Sequence, residues 1–161
     1  MARPVIRRLA MESQAAAHLG VLDGDMVTYL IKEIPPGRDL FTREGMQLEA
    51  YCSAVGKMLL AHLPDSALDS YFSGGPLVPL TPRTMTDEAR LREHLASVRG
   101  NGHAIDDQEI AEDLVCVAVP VRSAGGAVIA AISCSMTTPG FQLDRTVDLL
   151  REAGTMIEAR L

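Results

Sequence analysis

The chain has 161 residues, 47% of them apolar and 22% charged, with 15 basic side chains against 21 acidic ones for a formal charge of −6. That length suits a single domain with a core that needs no metal or disulfide staple, and the composition excludes wholesale disorder, collagen and coiled-coil rods. An acidic chain with two lysines, Lys32 and Lys57, with 4% aromatics and no Trp, offers neither a basic face for DNA nor stacking platforms for a single strand.

No apolar run approaches the roughly 20 residues of a membrane-spanning helix. The basic start, Met1 to Arg8, is followed by no apolar signal segment. Cys52, Cys116 and Cys134 are odd in number and widely spaced, which argues against a disulfide framework and for a reducing, cytoplasmic setting.

In chain order, Ile6, Leu9, Ala10, Ser13 and Ala17 predict a helix over 4–17, opened by Pro4. Runs rich in β-branched residues over 18–22 and 26–34 flank Asp23-Gly24-Asp25 and read as a β-hairpin. Pro35-Pro36-Gly37 ends its second strand, and 40–48 reads as a third. Val55, Met58, Leu59 and His62 give a buried helix over 52–63, closed by Pro64, and a short helix follows over 65–72. Thr86-Asp87-Glu88-Ala89 opens another helix with a hydroxyl cap, turns Leu91, Leu95 and Val98 inward, and ends at Gly100 and Gly102. Two strands, 114–122 and 127–136, are joined by Ser123-Ala124-Gly125-Gly126. The last helix starts near Gln142, and its seam of Leu143, Val147, Leu150, Gly154, Ile157 and Leu161 would pack on a sheet or on a partner.

Few motifs point to chemistry. Val55-Gly56-Lys57 lacks the earlier Gly and the following hydroxyl of a phosphate loop, since Tyr51 and Met58 stand there. It reads instead as a helix start where Gly56 allows close packing and free amides could hold a carboxylate. His18, His62, His94 and His103 never pair with other ligands at a zinc spacing, so no metal site is expected. A nucleophilic pair could be assembled from Cys52 or Cys116 with a histidine, but no local signature supports catalysis. Asp106-Asp107-Gln108-Glu109 reads as a solvated turn.

The second hairpin is more informative. If Ala124 and Gly125 form its two-residue turn, Cys116 faces Ser133 and Leu114 faces Ser135, and the four share one side of the sheet. That side, read as Ala127, Ile129, Ala131, Ser133 and Ser135, is small and becomes polar at one end. Either the two serines bond neighbouring backbone, or the face leaves room for a ligand beneath a covering helix. A one-residue change in register would remove the shared face.

Five segments taken in order resemble the effector-binding domain of IclR (isocitrate-lyase-regulator) family transcription factors. They are His18-Leu19-Gly20-Val21-Leu22-Asp23-Gly24-Asp25, Ser53-Ala54-Val55-Gly56-Lys57-Met58-Leu59-Leu60-Ala61, Gly102-His103-Ala104-Ile105-Asp106-Asp107-Gln108-Glu109, Leu114-Val115-Cys116-Val117-Ala118-Val119-Pro120-Val121 and Ala130-Ala131-Ile132-Ser133-Cys134-Ser135. The resemblance implies an α+β, GAF-like domain with a curved antiparallel sheet flanked by helices. Residues 1–16 would be the end of an interdomain connector helix and 17–161 the effector domain, with the family's N-terminal winged helix-turn-helix outside this sequence. Arg3, Arg7 and Arg8 would lie near DNA in a full-length member or on a solvated helix face.

Carried over residue by residue, the resemblance implies ligand contacts at Ala54, Val55, Asp106, Cys116, Ser133 and Ser135, with Leu40, Leu48, Met58 and Leu114 as pocket wall. The expected ligand is a small organic acid of the hydroxy, keto, sugar or aromatic kind. A hydroxylated or keto acid fits best, because Asp106 would repel a bare carboxylate unless it takes a hydrogen bond from a ligand hydroxyl. The resemblance further implies a non-catalytic, cofactor-free sensor that forms a homodimer or tetramer, and that meets DNA only through the other domain.

Overall fold

Six short segments build one sheet, three of them buried on both faces, and amphipathic helices cover both of its sides. The computed structural model describes residues 1–161. In order the elements are α1 (Arg3–Ser13), β1 (Ala16–Asp23), β2 (Met26–Glu33), β3 (Gln47–Glu49), α2 (Ala54–Leu60), α3 (Asp65–Phe72), α4 (Glu88–Asn101), β4 (Ala104–Asp107), β5 (Leu114–Arg122), β6 (Val128–Thr137) and α5 (Leu143–Glu158). The sheet order is β3-β2-β1-β6-β5-β4, and every neighbouring pair is antiparallel. The sheet curls into a half-barrel, the α+β architecture expected.

Two apolar cores lie on opposite sides of it. One gathers Val55, Met58 and Leu60 of α2 with Leu91 and Leu95 of α4 against Val27, Tyr29, Cys116 and Ala131. The other packs Val5, Ile6 and Leu9 of α1 and Val147, Leu150 and Ile157 of α5 on Val117, Val119 and Ile132. The α5 seam therefore meets the sheet and α1, while Leu161 is 66% exposed and falls outside it.

Several boundaries differ from the expectations. The first helix stops at Ser13, because Gln14 turns left-handed (φ 53°) and the buried residues from Ala16 onward are captured by β6. Ala17 is thus strand. The third strand is reduced to Gln47–Glu49, and 40–46 is an irregular strap held by side chains. Helix α2 ends at Leu60, short of His62. The cap of α4 is Asp87, whose carboxylate accepts from the Arg90 amide at 2.8 Å, and not Thr86.

The second hairpin pairs two residues further along than expected. Cys116 faces Ser135 and Leu114 faces Thr137, because the loop is longer and a bulge interrupts the ladder beside Arg122. A shift of two preserves the side of every residue beyond the bulge, so Leu114, Cys116, Ser133 and Ser135 do share one face. Before the bulge the sides change, with Val128 turned to the α2 core and Ile129 to solvent.

Candidate functional site

The site begins with a helix start pressed onto its own incoming loop. Ser53 caps α2, accepting from the Gly56 amide at 3.2 Å and donating to the Glu49 carbonyl at 2.8 Å. A Cβ at Gly56 would sit 2.2 Å from the Ala50 carbonyl oxygen, so only glycine permits this approach. Ala54 and Val55 are thereby held over the sheet face that carries Cys116, Ser133 and Ser135.

Lys57 follows, and its side chain is completely buried. Its ammonium pairs with Glu109 and donates to the Ile105 carbonyl at 3.1 Å. The run expected to be a solvated turn is therefore structural, with 104–107 forming strand β4 and Asp106 and Glu109 both buried. A buried ammonium requires an anionic partner, and Glu109 supplies it from the opposite wall. That ion pair and the hydrogen bond to Ile105 tie α2 to the β4 end.

Asp106 is fully buried, with one carboxyl oxygen accepting from the amides of Glu109 at 2.7 Å and Ile110 at 3.3 Å. Its other oxygen has no partner. Burial pushes this carboxyl up to about 7, aided by nearby Glu109 and opposed by the two amides and Lys57. Ladder pairing sets Asp106 beside Cys116, Cys116 beside Ser135, and Ser135 beside Ala16, while Ser133 faces His18. One polar stripe thus crosses four strands, and the Ser133 hydroxyl on it is buried without a partner.

Ala54, Val55, Asp106, Cys116, Ser133 and Ser135 line one enclosed cavity, together with Leu40, Leu48 and Leu114. Met58 does not reach it: its side chain points into the α2 core with no exposed surface. Tyr29, Phe41, Thr42, Ser53 and Ile110 complete the lining and were not anticipated. Ser53 carries a cap signature and Tyr29 an inward strand position, whereas Phe41 and Thr42 lie in a strap without periodicity. The cavity holds about 10 Å³, room for one water molecule, and Leu40, Phe41 and Thr42 of the strap form one wall of it.

Two side chains fasten the strap. Lys32 donates to the carbonyls of Leu40, at 2.8 Å, and Thr42, and His18 bonds the Thr42 hydroxyl at 2.8 Å while stacking on Tyr29. Burial and the nearby Lys32 ammonium pull His18 down to about 3, so its imidazole is neutral. A larger cleft of about 420 Å³ lies at the start of α4, but it is open to solvent and crossed by an exposed Arg83–Asp107 pair at 2.9 Å.

The three thiols are free and buried. Burial raises all three, with Cys134 pushed up to about 12 and Cys52 and Cys116 also held above the ordinary thiol value, so none carries the thiolate of a nucleophile. No group of three or more His, Cys, Asp or Glu side chains is arranged to hold a metal ion. No helix is long and apolar enough to cross a membrane.

A half-barrel sheet with a closed polar cavity beneath a capped helix start defines a small regulatory-type domain, and comparison with known proteins gives its family. Residues 1–159 match the family model described as bacterial transcriptional regulator IclR C-terminal. The chain belongs to the IclR family of transcriptional regulators. The Pca regulon regulatory protein of Pseudomonas putida is 32% identical over 136 residues, which cover 83% of this chain and 47% of that protein. The C-terminal domain of the Escherichia coli transcriptional regulator KdgR superposes with a TM-score of 0.88 at 32% identity, covering 98% of this chain and 94% of that one. The inducer-binding domain of the Acinetobacter transcription factor PobR, a double mutant in complex with 3-hydroxybenzoic acid, superposes with a TM-score of 0.89 at 27% identity, covering 98% and 95%. The chain spans about half the length of the curated relatives it matches.

Proposed function

We propose that this domain senses a small organic acid carrying a hydroxyl or keto group, which binds in the cavity between α2 and the sheet and changes the DNA binding of the regulator to which the domain belongs. The observation that carries the reading is the polar stripe. Asp106 and Ser133 each present a buried polar atom without a partner to one cavity, and a native core rarely leaves such atoms unpaired. Ala54, Val55, Cys116 and Ser135 are the other ligand contacts, and Leu40, Leu48 and Leu114 form the wall. The relative solved with 3-hydroxybenzoic acid supports the ligand class.

Residues 1–16 carry the response toward a winged helix-turn-helix supplied elsewhere in the regulator, residues 17–161 form the sensing unit, and the assembly is a cytoplasmic homodimer or tetramer. The domain is a non-catalytic sensor, because its thiols are buried and neutral and its named relatives are regulators.

A thermal-shift screen against hydroxy, keto, sugar and aromatic acids tests this, with Ser133→Ala as control. A ligand at 100 times its dissociation constant adds about 2.7 kcal/mol, or roughly 5 to 10 °C at this size. A shift of that order, lost in Ser133→Ala, is the expected result. The absence of any shift across the panel would sink the reading.

A further inference from the structure

The groups that fasten the strap and the groups that line the stripe have opposite electrical character. On the β2–β1–β6 side stand an ammonium, an imidazole and a hydroxyl. Lys32 and His18 are cross-strand neighbours, and His18 faces Ser133 in the next ladder. Lys32 uses two of its three donors on strap carbonyls, and the remaining His18 nitrogen and the Ser133 hydroxyl are buried with no partner. On the β4 side stands the unpartnered oxygen of Asp106, with the Lys57 charge beyond it already matched by Glu109. With His18 as the Nδ1–H tautomer, its Nε2 accepting from the Thr42 hydroxyl, one end of the site lacks an anion or acceptor, and the other lacks a donor.

We propose that the site is polarised: an acid binds with its carboxylate at Lys32, His18 and Ser133 and its hydroxyl at Asp106, and the carboxylate displaces Leu40 and Thr42 from Lys32 and His18, which unfastens the strap. This rests on the cavity being the effector site. Lys32 and His18 then determine specificity, although neither borders the closed cavity.

The dimensions select among hydroxy acids. Three strand-to-strand steps separate β1 from β4, roughly 14 Å between backbones, which inward-pointing side chains from both ends narrow but do not close. The fit is to a carboxylate and a hydroxyl on opposite sides of a ring or chain, and not to a compound with both on adjacent atoms. The strap also leads outward. Glu44 accepts from the Lys32 amide at 3.0 Å and from Arg3 of α1 at 2.7 Å, so release of the strap loosens a contact on α1.

The test is calorimetric titration with 3- and 4-hydroxybenzoate, benzoate, 3-hydroxybenzamide and lactate, on the wild-type chain, Lys32→Met, Lys32→Gln and Asp106→Asn. The wild type is expected to prefer a hydroxybenzoate over its amide, over benzoate and over lactate by tenfold or more. Either Lys32 variant should abolish the preference for acid over amide, and Asp106→Asn the preference for hydroxybenzoate over benzoate. Amide hydrogen exchange over 38–46 should accelerate with bound acid. If a hydroxybenzoate binds and both Lys32 variants keep the acid preference, or exchange in the strap is unchanged, the polarity is refuted while the sensor reading stands. A preference for lactate refutes the spacing argument. If none of these compounds binds but another acid in the thermal screen does, the sensor reading stands and the proposed orientation falls; if no acid binds at all, both fall.

Discussion

Replacing Lys57 by Met tests whether the buried ion pair holds the floor of the site. The variant keeps the length of the side chain but removes the charge facing Glu109 and the donor to the Ile105 carbonyl at 3.1 Å. Glu109 cannot remain ionised there alone, and burial already raises its carboxyl above the ordinary value of 4.5. It will take a proton instead. Binding that proton at pH 7 costs about 1.4 kcal/mol per pH unit above 4.5, or roughly 3 kcal/mol, at the lower edge of the about 3 to 5 kcal/mol typical of breaking one partner of a buried pair. For a chain of this length the loss is about 9 °C in Tm. The sign with pH follows: the penalty is largest at neutral pH and shrinks toward zero near pH 4.5, where protonation is free in both states. Urea unfolding of the variant at pH 7 and pH 5 measures both. The double variant Lys57→Met/Glu109→Leu should recover most of the stability, because no unpaired charge remains. A single variant within 1 kcal/mol of wild type at pH 7, or a double variant as unstable as the single one, would refute the assignment.

Other substitutions probe separate links. With its folded carboxyl raised from 3.8 to about 7, Asp106 favours the fold below about pH 4, and that contribution is lost as pH rises through 7, by up to about 4 kcal/mol. Asp106→Asn should therefore match wild type near pH 4 and exceed it in urea midpoint at pH 8; equal midpoints at pH 8 would count against it. Gly56→Ala drives a Cβ into the Ala50 carbonyl and should cost about 3 kcal/mol or prevent folding, read by circular dichroism melting. Asp87→Ala should cost about 1 kcal/mol of stability while Thr86→Ala costs almost nothing, which distinguishes the two candidate caps of α4 by the same melt. Thr42→Val removes the bond to His18 and should tighten binding of any acid found in the thermal-shift screen by about fivefold, as measured by calorimetry.

What the sequence made legible follows from where local signals agree with long-range contacts. Strands β5 and β6 are apolar runs between turn residues, and a register error of two left the face of Cys116 and Ser133 intact because side chains repeat every second residue. Burial of Asp106 and Glu109 was hidden for a different reason. Four consecutive polar residues ordinarily mark a solvated turn, and it takes Lys57, 52 positions earlier, to make the burial of Glu109 tolerable, while the amides of Glu109 and Ile110 hold Asp106. Nothing local to Lys57 in the sequence marks its side chain as buried. The strap lies between Leu40 and Leu48 at strand-like spacing, yet the Leu40 and Thr42 carbonyls are taken by Lys32 and the Leu40 amide by Asp39, at 2.8 Å, so backbone pairing with β2 begins only at Gly45 and Met46, which bond Tyr29. Met58 has helical spacing that fits wall and core alike, and only its direction on α2 separates them.

The closed cavity has a thermodynamic consequence for sensing. Three hydrogen bonds fasten the Leu40–Thr42 portion of the strap, two from the Lys32 ammonium and one through His18, and each contributes about 1 kcal/mol net. An opening cost of about 3 kcal/mol leaves the binding-competent form near 1% of molecules, so the apparent affinity is about a hundredfold weaker than the intrinsic one. That loss is the source of the signal. A ligand changes an equilibrium only by binding its two states differently, and a cavity with room for one water molecule cannot hold an acid in the closed state at all. In the proposed mechanism the intrinsic binding energy therefore acts on strap opening, and the strap's Glu44 meets Arg3 of α1 at 2.7 Å. Sensitivity is set by the same fastening: residues that hold the strap more tightly raise the ligand concentration needed.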